Sequence, residues 1–254
     1  MKIAIFIIHY YNKDGVFKGK STRGNPAIRK MSAERTIEAA RNVKGADVFV
    51  CGFPGSSLVD IDIDASKINS DPRLISYETL ASLRKYSGLY DYFAVVEDDI
   101  LINGDTFGNI IHFDRHHDAR AIFLPNRIEV KGNIIACVDT DLNPNKTDKQ
   151  LTYRGRTLRV YENPNSSIFI VNAEKLEIIK AEVDHSFRGL VVGGPMASAM
   201  AHFHKPFDLY RVDDGLDFHT VQHLDVFDTI PPKRTLIQRA AGKLRRLVSS
   251  TAAN

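Results

Sequence analysis

The chain opens on an unbroken apolar run from Ile3 to Ile8. A run of this kind, without polar alternation, predicts a parallel strand covered on both faces. Residues 13–25 are polar and contain glycine, which predicts a loop. Residues 28–42 predict a helix, with Ile28, Met31, Arg35 and Ala39 along one stripe. Residues 47–55 predict a second strand that ends in a tight turn at Gly52-Phe53-Pro54-Gly55. Residues 78–86 predict a helix carrying Leu80 and Leu83, and residues 93–96 a further strand. Strand and helix alternate through this half. The pattern predicts an α/β fold, with a mainly parallel sheet and helices on both faces.

The second half is less regular. Strands are predicted at 121–124, 134–138, 167–171 and 208–212, and helices at 173–181 and 196–201. Residues 139–149 are rich in Asp, Asn and Lys and predict an exposed loop. No repeat, low-complexity segment or linker forces a boundary, so one domain is expected over residues 1–230, followed by a tail over 231–254.

Composition changes this picture little. The chain has 254 residues, 43% hydrophobic and 26% charged, enough for one domain with a sizeable core. A net charge of +3 gives no reason to expect a nucleic-acid partner. No apolar run is long enough to span a membrane. The first apolar run leads into His9-Tyr10-Tyr11-Asn12 instead of a small-residue cleavage site, and so reads as a strand and not as a signal peptide. Cys51 and Cys137 lie far apart in no metal-like spacing; a reducing cytoplasm suits them, with a disulfide left open.

The candidate chemistry centres on Glu97-Asp98-Asp99, which follows the buried run at 93–96 directly. Three adjacent carboxylates repel one another, and a divalent cation is the most direct compensation. Mg²⁺ and Mn²⁺ take hard oxygen ligands and bridge carboxylates to phosphates. In parallel α/β sheets ligands bind beyond the carboxyl ends of the strands. His9 to Asn12, Gly52 to Gly55 and the acidic triplet all fall at such ends. The expectation is a metal–diphosphate site there.

The element order resembles that of nucleotide-sugar-dependent glycosyltransferases of the GT-A fold. The similarity runs over residues 1–230, mostly as element order. Ile8-His9-Tyr10-Tyr11-Asn12 looks like the first-strand end that meets the nucleobase in this class. Glu97-Asp98-Asp99 is similar to its acidic metal motif, in the Glu-Asp-Asp form of some N-acetylglucosaminyltransferases. The resemblance implies a Rossmann-like nucleotide-sugar half over 1–103 and an acceptor half over 104–230. It also implies a late metal-binding histidine, His219 or, as the alternative, His223. In one respect the chain departs from the pattern: inverting members carry a catalytic carboxylate at the start of a helix in the acceptor half, where this chain has Gly193-Gly194-Pro195-Met196.

On this reading Asp99 is the main metal ligand, Asp98 contacts the sugar or supports the metal, and Glu97 contacts the ribose or orients the motif. The cofactor is Mn²⁺ or Mg²⁺, stabilising the departing diphosphate. His9, Tyr10, Tyr11 and Asn12 complete the donor side. Asp213, Asp214 and Asp184 remain as candidate bases, each equally plausible as a turn or cap residue. The Gly193-Gly194-Pro195 stretch reads first as a turn before a Pro-initiated helix and second as an anion-accepting helix start. Lys18, Lys20 and Arg23 read first as solvated charge, and second as reaching a diphosphate. The tail after Pro232 puts Leu236, Ile237, Ala240, Leu244, Leu247 and Val248 on one helical face, with Arg234, Arg239, Lys243, Arg245 and Arg246 mostly off it. Such a basic amphipathic segment suits an anionic membrane surface or a protein partner.

The expected function is a metal-dependent glycosyltransferase using a nucleotide diphosphate sugar, UDP-linked by expectation. The acceptor is a glycan hydroxyl, free or lipid-linked, in surface polysaccharide or lipopolysaccharide synthesis. The setting is cytoplasmic, with peripheral contact at the inner face of the membrane. The alternatives are a nucleotidyltransferase, for which the residues after the first strand make a thin phosphate loop, and a non-catalytic binding or scaffold protein.

Overall fold

β1 (Ile3–Ile8) is buried at all six positions, as is β4 (Tyr92–Glu97), because each is hydrogen-bonded on both sides and covered on both faces. The computed structural model describes residues 1–12, 25–141, 146–162, 167–213 and 216–224. The loop predicted at 13–25, with Lys18, Lys20 and Arg23, lies outside them except for Asn25, which caps the first helix; Asp214 and the tail over 231–254 also lie outside them.

The first half follows the predicted alternation: β1, α1 (Pro26–Arg41), β2 (Ala46–Gly52), β3 (Ile63–Asp64), α2 (Ile75–Ser82), β4 and the short β5 (Ile100–Leu101). Next come α3 (Gly104–Asp114), β6 (Ala121–Phe123), β7 (Asn126–Lys131), β8 (Ile134–Cys137) and α4 (Val138–Asp141). The last third holds β9 (Lys146–Tyr153), β10 (Arg156–Tyr161), β11 (Ile168–Asn172), α5 (Ala173–Glu182), α6 (Pro195–His204), β12 (Asp208–Val212) and β13 (Thr220–His223).

The principal sheet has the order β11-β4-β1-β2-β3. Its pairings are parallel except for the edge strand β11, which runs antiparallel to β4. Side chains alternate across it with period two. Ala4, Phe6 and Ile8 join Phe93, Val95, Phe169 and Val171 in one core, closed by α2, α5 and α6. Ile3, Ile5 and Ile7 join Ala94, Val96 and Ile170 in a second core, closed by Ile37 and Ala40 of α1 and by Phe107 and Ile110 of α3. The fold is therefore α/β, with helices on both faces of a mainly parallel sheet.

The other strands build two four-stranded sheets, β6-β12-β10-β9 and β5-β13-β7-β8, with mixed pairings. Phe113, Phe123, Tyr153, Leu158, Tyr210 and Val212 form a third core against the first of these.

Three expectations are corrected. The stripe expected on α1 is the wrong one: Ser32, Ala33, Thr36, Ile37 and Ala40 are buried, while Met31 is 51% exposed. Small residues let the helix approach the sheet, and helix packing followed that fit instead of side-chain size. The exposed loop expected at 139–149 is replaced at its ends by α4 and β9, and Asp139 is buried. The helix expected at 78–86 begins earlier, at Ile75, and its last turn, Leu83–Tyr86, tightens to 3₁₀.

Candidate functional site

The chain leaves β1 for β2 and β3 on one side, then returns to lay β4 on the other side of β1. The strand order reverses between β1 and β4, and a crevice opens outside their carboxyl ends at such a switch point. His9 follows β1 there, and Glu97 to Asp99 close β4. Gly52 ends β2 beside them: a Cβ at that position would lie 3.2 Å from the His9 carbonyl oxygen and 2.6 Å from the Ile61 side chain, so only glycine fits without displacement.

Asp98 and Asp99 form the turn between β4 and β5 and are almost fully buried. Arg29, in the first turns of α1, spans both. Its Nη1 donates to Asp99 Oδ2 at 2.8 Å, and its Nη2 donates to Asp98 Oδ1. The other Asp98 oxygen faces His9 Nδ1. His9 Nε2 accepts the Leu58 backbone N–H at 2.9 Å. That acceptor role leaves the imidazole proton on Nδ1, donated to Asp98. Burial works against the Arg29 charge, but Asp98, Asp99 and Glu97 outweigh it and hold the guanidinium protonated.

β13 brings a second histidine to the turn. It pairs with β5 in the register His223↔Ile100, and the Leu224 N–H donates to the Asp99 carbonyl at 2.7 Å. His223 Nε2 lies 3.6 Å from Asp99 Oδ2, and its Nδ1 lies 2.7 Å from Glu129 Oε1. Burial alone would lower the His223 pKa; the pairing with Asp99 and the hydrogen bond to Glu129 prevail and raise it to about 9. His223 is thus an imidazolium between two carboxylates.

A further layer lies on β7. Arg127 donates to Asp139 from its backbone N (2.7 Å) and its Nη2 (2.7 Å), and from Nη1 to Ser167 Oγ (2.7 Å). Arg211 of β12 lies 3.1 Å from the same Asp139 and donates to the Pro125 carbonyl at 2.7 Å. Its Nη2 and the Oδ1 of Asn126 are buried without a hydrogen-bond partner among the described residues.

Of the candidates named from sequence, Glu97, Asp98, Asp99, His9 and His223 converge. Tyr10, half-buried, packs edge-on against Phe53 with ring centres 6.0 Å apart. The Tyr11 backbone is anchored to Ser56 (2.9 Å), and Asn12 is exposed at the rim. His219 lies apart from this constellation. It stacks on Phe123 with ring centres 3.8 Å apart, its Nε2 is 3.3 Å from the Phe123 carbonyl, and burial pushes its pKa down to about 3. Its partner in the resemblance, His223, is the histidine at the acidic turn.

The two described candidate bases are structural here. Asp213 meets Lys146 (2.8 Å), Tyr161 (2.8 Å) and Arg159 (3.0 Å). Burial opposes its charge, but these hydrogen bonds outweigh burial and hold the carboxyl below its ordinary range, which weakens it as a base. Asp184 is exposed and accepts from the Ser186 N–H and hydroxyl in a turn. Gly193, at φ 56°, leads into α6 with Pro195 in its first turn, and Ser198 Oγ satisfies the Val191 and Val192 N–H groups, so the turn reading describes this stretch.

The expected metal site does not match the donors present. Both Asp98 oxygens are engaged by Arg29 and His9, Arg29 also binds Asp99, and among the described residues no three His, Cys, Asp or Glu side chains converge on a point suited to a metal ion. Sequence reasoning missed Arg29, Arg127, Glu129, Asp139 and Arg211. The one local signal was in β7, where Arg127 and Glu129 alternate with Ile128 and Val130; the polar face is the buried one, and Val130 is 37% exposed.

No protein-family model matches the chain, and a search of curated proteins returns no match. Solved structures with a similar course exist. Staphylococcus aureus TarS, residues 1–349, aligns at 9% identity over 88% of this chain and 60% of that chain, with a TM-score of 0.45; this chain thus spans less than two thirds of it. The same fragment has been solved with UDP-GlcNAc. A protein from Desulfovibrio desulfuricans G20 described as a nucleotide-diphospho-sugar transferase aligns at 10% identity over 84% of this chain and 80% of that one (TM-score 0.40). A CMP:2-keto-3-deoxy-manno-octonic acid synthetase solved with CTP aligns at 11% identity over 84% and 90% (TM-score 0.41). At these values the likenesses carry neither substrate nor reaction across to this chain.

Proposed function

We propose that this chain is a glycosyltransferase that binds a nucleotide diphosphate sugar outside the carboxyl ends of β1 and β4. The observation that supports it best is the position of the acidic turn. Glu97, Asp98 and Asp99 lie where the strand order reverses, next to the His9 end of β1. Open α/β sheets bind their ligands at that place. Tyr10, Tyr11 and Asn12 extend from the same strand end towards the rim and suit a nucleobase. Arg29 and His223 supply positive charge beside Glu97, Asp98, Asp99 and Glu129, which offsets part of the negative charge a diphosphate would meet there.

The finer reading belongs to the same proposal: a UDP-linked donor, a glycan hydroxyl as acceptor, and a place in surface polysaccharide or lipopolysaccharide assembly. A membrane-held acceptor would suit the basic tail. Among the described residues no helix is long and apolar enough to cross a membrane. No general base is assigned, since Asp213 and Asp184 are both committed to structural hydrogen bonds.

The test is a thermal-shift series with UDP, GDP, CDP, their sugars, and CTP. A ligand that binds only the folded state raises Tm by mass action, by about 2.7 kcal/mol of stability at a hundredfold excess over Kd. Stabilisation by one nucleoside diphosphate and its sugar, lost in Asp98→Ala, is the expected result. Stabilisation by CTP alone would favour nucleotidyl transfer, and no shift with any ligand would favour the scaffold reading.

A further inference from the structure

We propose that Arg29 is the resident counter-cation of the acidic turn: it holds Asp98 and Asp99 where a divalent ion would otherwise sit, and ligand binding at this edge is independent of metal. The first part stands on the site alone; the second rests on the nucleotide-binding reading above.

The geometry carries the first part. One guanidinium reaches two adjacent carboxylates with two different nitrogens, Nη1 to Asp99 and Nη2 to Asp98. A planar fork matches a pair of carboxylates in a way a lysine ammonium cannot. The remaining Asp98 oxygen is taken by His9, whose other nitrogen is fixed by the Leu58 N–H. Each Asp98 oxygen thus already carries a hydrogen bond, one from Arg29 and one from His9. The backbone that carries Arg29 is fixed. It sits early in α1, a helix whose start is set by Pro26 and by the Asn25 side chain, which accepts from the Ala27 and Ile28 N–H groups at 3.0 and 3.3 Å. The Arg29 side chain is 13% exposed, against 2% for Asp98 and 0% for Asp99, so the three groups form one largely buried unit.

The chemistry agrees. The expectation of a metal arose because adjacent carboxylates need a cation. Arginine meets that need permanently, without depending on metal supply, and cannot be deprotonated. A divalent ion entering beside it would face the guanidinium charge at contact distance, and the one or two carboxylates that usually hold Mg²⁺ are here already paired with that guanidinium.

Mn²⁺ titrated into the full chain, with free Mn²⁺ followed by its EPR signal, tests this. The wild-type protein should show only weak surface binding, unchanged in Asp99→Asn. Arg29→Ala should gain a site at least about tenfold tighter than any in the wild type, and that site should disappear in Arg29→Ala/Asp99→Asn. Arg29→Lys, which keeps a charge, should remain without it. A tight Mn²⁺ site in the wild type that Asp99→Asn abolishes would overturn the proposal, as would a folded Arg29→Ala that gains nothing. If Arg29→Ala does not fold, the wild-type, Asp99→Asn and Arg29→Lys titrations still decide. For the second part, the nucleotide-induced thermal shift should be the same with Mn²⁺ and with EDTA, and a shift that requires Mn²⁺ would refute it. Absence of any nucleotide shift would instead sink the glycosyltransferase reading, leaving the Mn²⁺ titrations to judge Arg29.

Discussion

Asp139 illustrates how single residues are held in this interior. Its side chain is 3% exposed, yet it accepts from Arg127 and lies within ion-pairing distance of Arg211. Burial would raise its pKa; Arg211 and Arg127 outweigh that and keep it a carboxylate. The converse holds for Arg211, whose pKa burial pushes down against the pull of Asp139. Removing one member of a buried ion pair leaves the others uncompensated, at a cost of about 3–5 kcal/mol. Asp139→Ala should therefore lower unfolding free energy in urea by about that much; a loss under about 1 kcal/mol, the range of a solvent-exposed pair, would show that the two arginines do not depend on it. Sequence placed Asp139 in an exposed loop because aspartate is seldom buried unless paired. Its partners lie on β7 and β12, one of them distant in the chain, so nothing local revealed the pairing.

At the scale of elements, two faces were inverted relative to their hydrophobicity. α1 turns its small residues to the sheet, and β7 turns Arg127 and Glu129 inward. Both inversions serve the acidic turn: α1 delivers Arg29 to it, and β7 delivers the Glu129 that holds His223. α5 shows the opposite case, where a cap and a buried pair cooperate. Asn172 accepts from the Lys175 N–H at 2.8 Å, while Lys175 Nζ reaches Asp114 of α3 at 2.8 Å, with Tyr92 and Asn172 donating to the other Asp114 oxygen. This pair ties α3 to α5 around the edge of the sheet. Lys175→Met keeps the length of the side chain but strands Asp114, and should cost about 3–5 kcal/mol in a chemical denaturation curve. A variant as stable as the wild type would mean that Tyr92 and Asn172 suffice for Asp114.

For the whole molecule, the buried histidines contribute pH dependences of opposite sign. His204 and His219 are held neutral by burial, with pKa values pushed from 6.5 to about 3. Below pH 6.5 the unfolded chain takes up protons that the folded protein refuses, so stability falls as pH drops towards 3. His223 works in the other direction: its pKa is raised to about 9, so its contribution is fully present below 6.5 and is lost as pH rises to 9. Each such proton gives a slope of about 1.4 kcal/mol per pH unit. Thermal melts across pH should therefore peak near neutrality, with the acid limb the steeper. In His223→Gln the alkaline limb should flatten; an unchanged limb would show that His223 is not charged between Asp99 and Glu129.

The principal sheet was legible in the chain because its signals are local. Continuous apolar runs at 3–8 and 93–96 can be satisfied only by strands covered on both faces, and the carboxylates after the second had to lie at a strand end. The register of alternating residues follows from the pleat and needs no partner to be known. Which side chains meet those carboxylates is visible only in three dimensions. Charge compensation depends on distance through space, and Arg29, His223 and Glu129 reach the turn from a helix and two strands whose packing is set by the cores beneath them. Sequence could state that Asp98 and Asp99 needed positive charge; among the described residues, tertiary structure brings a guanidinium and an imidazolium to them.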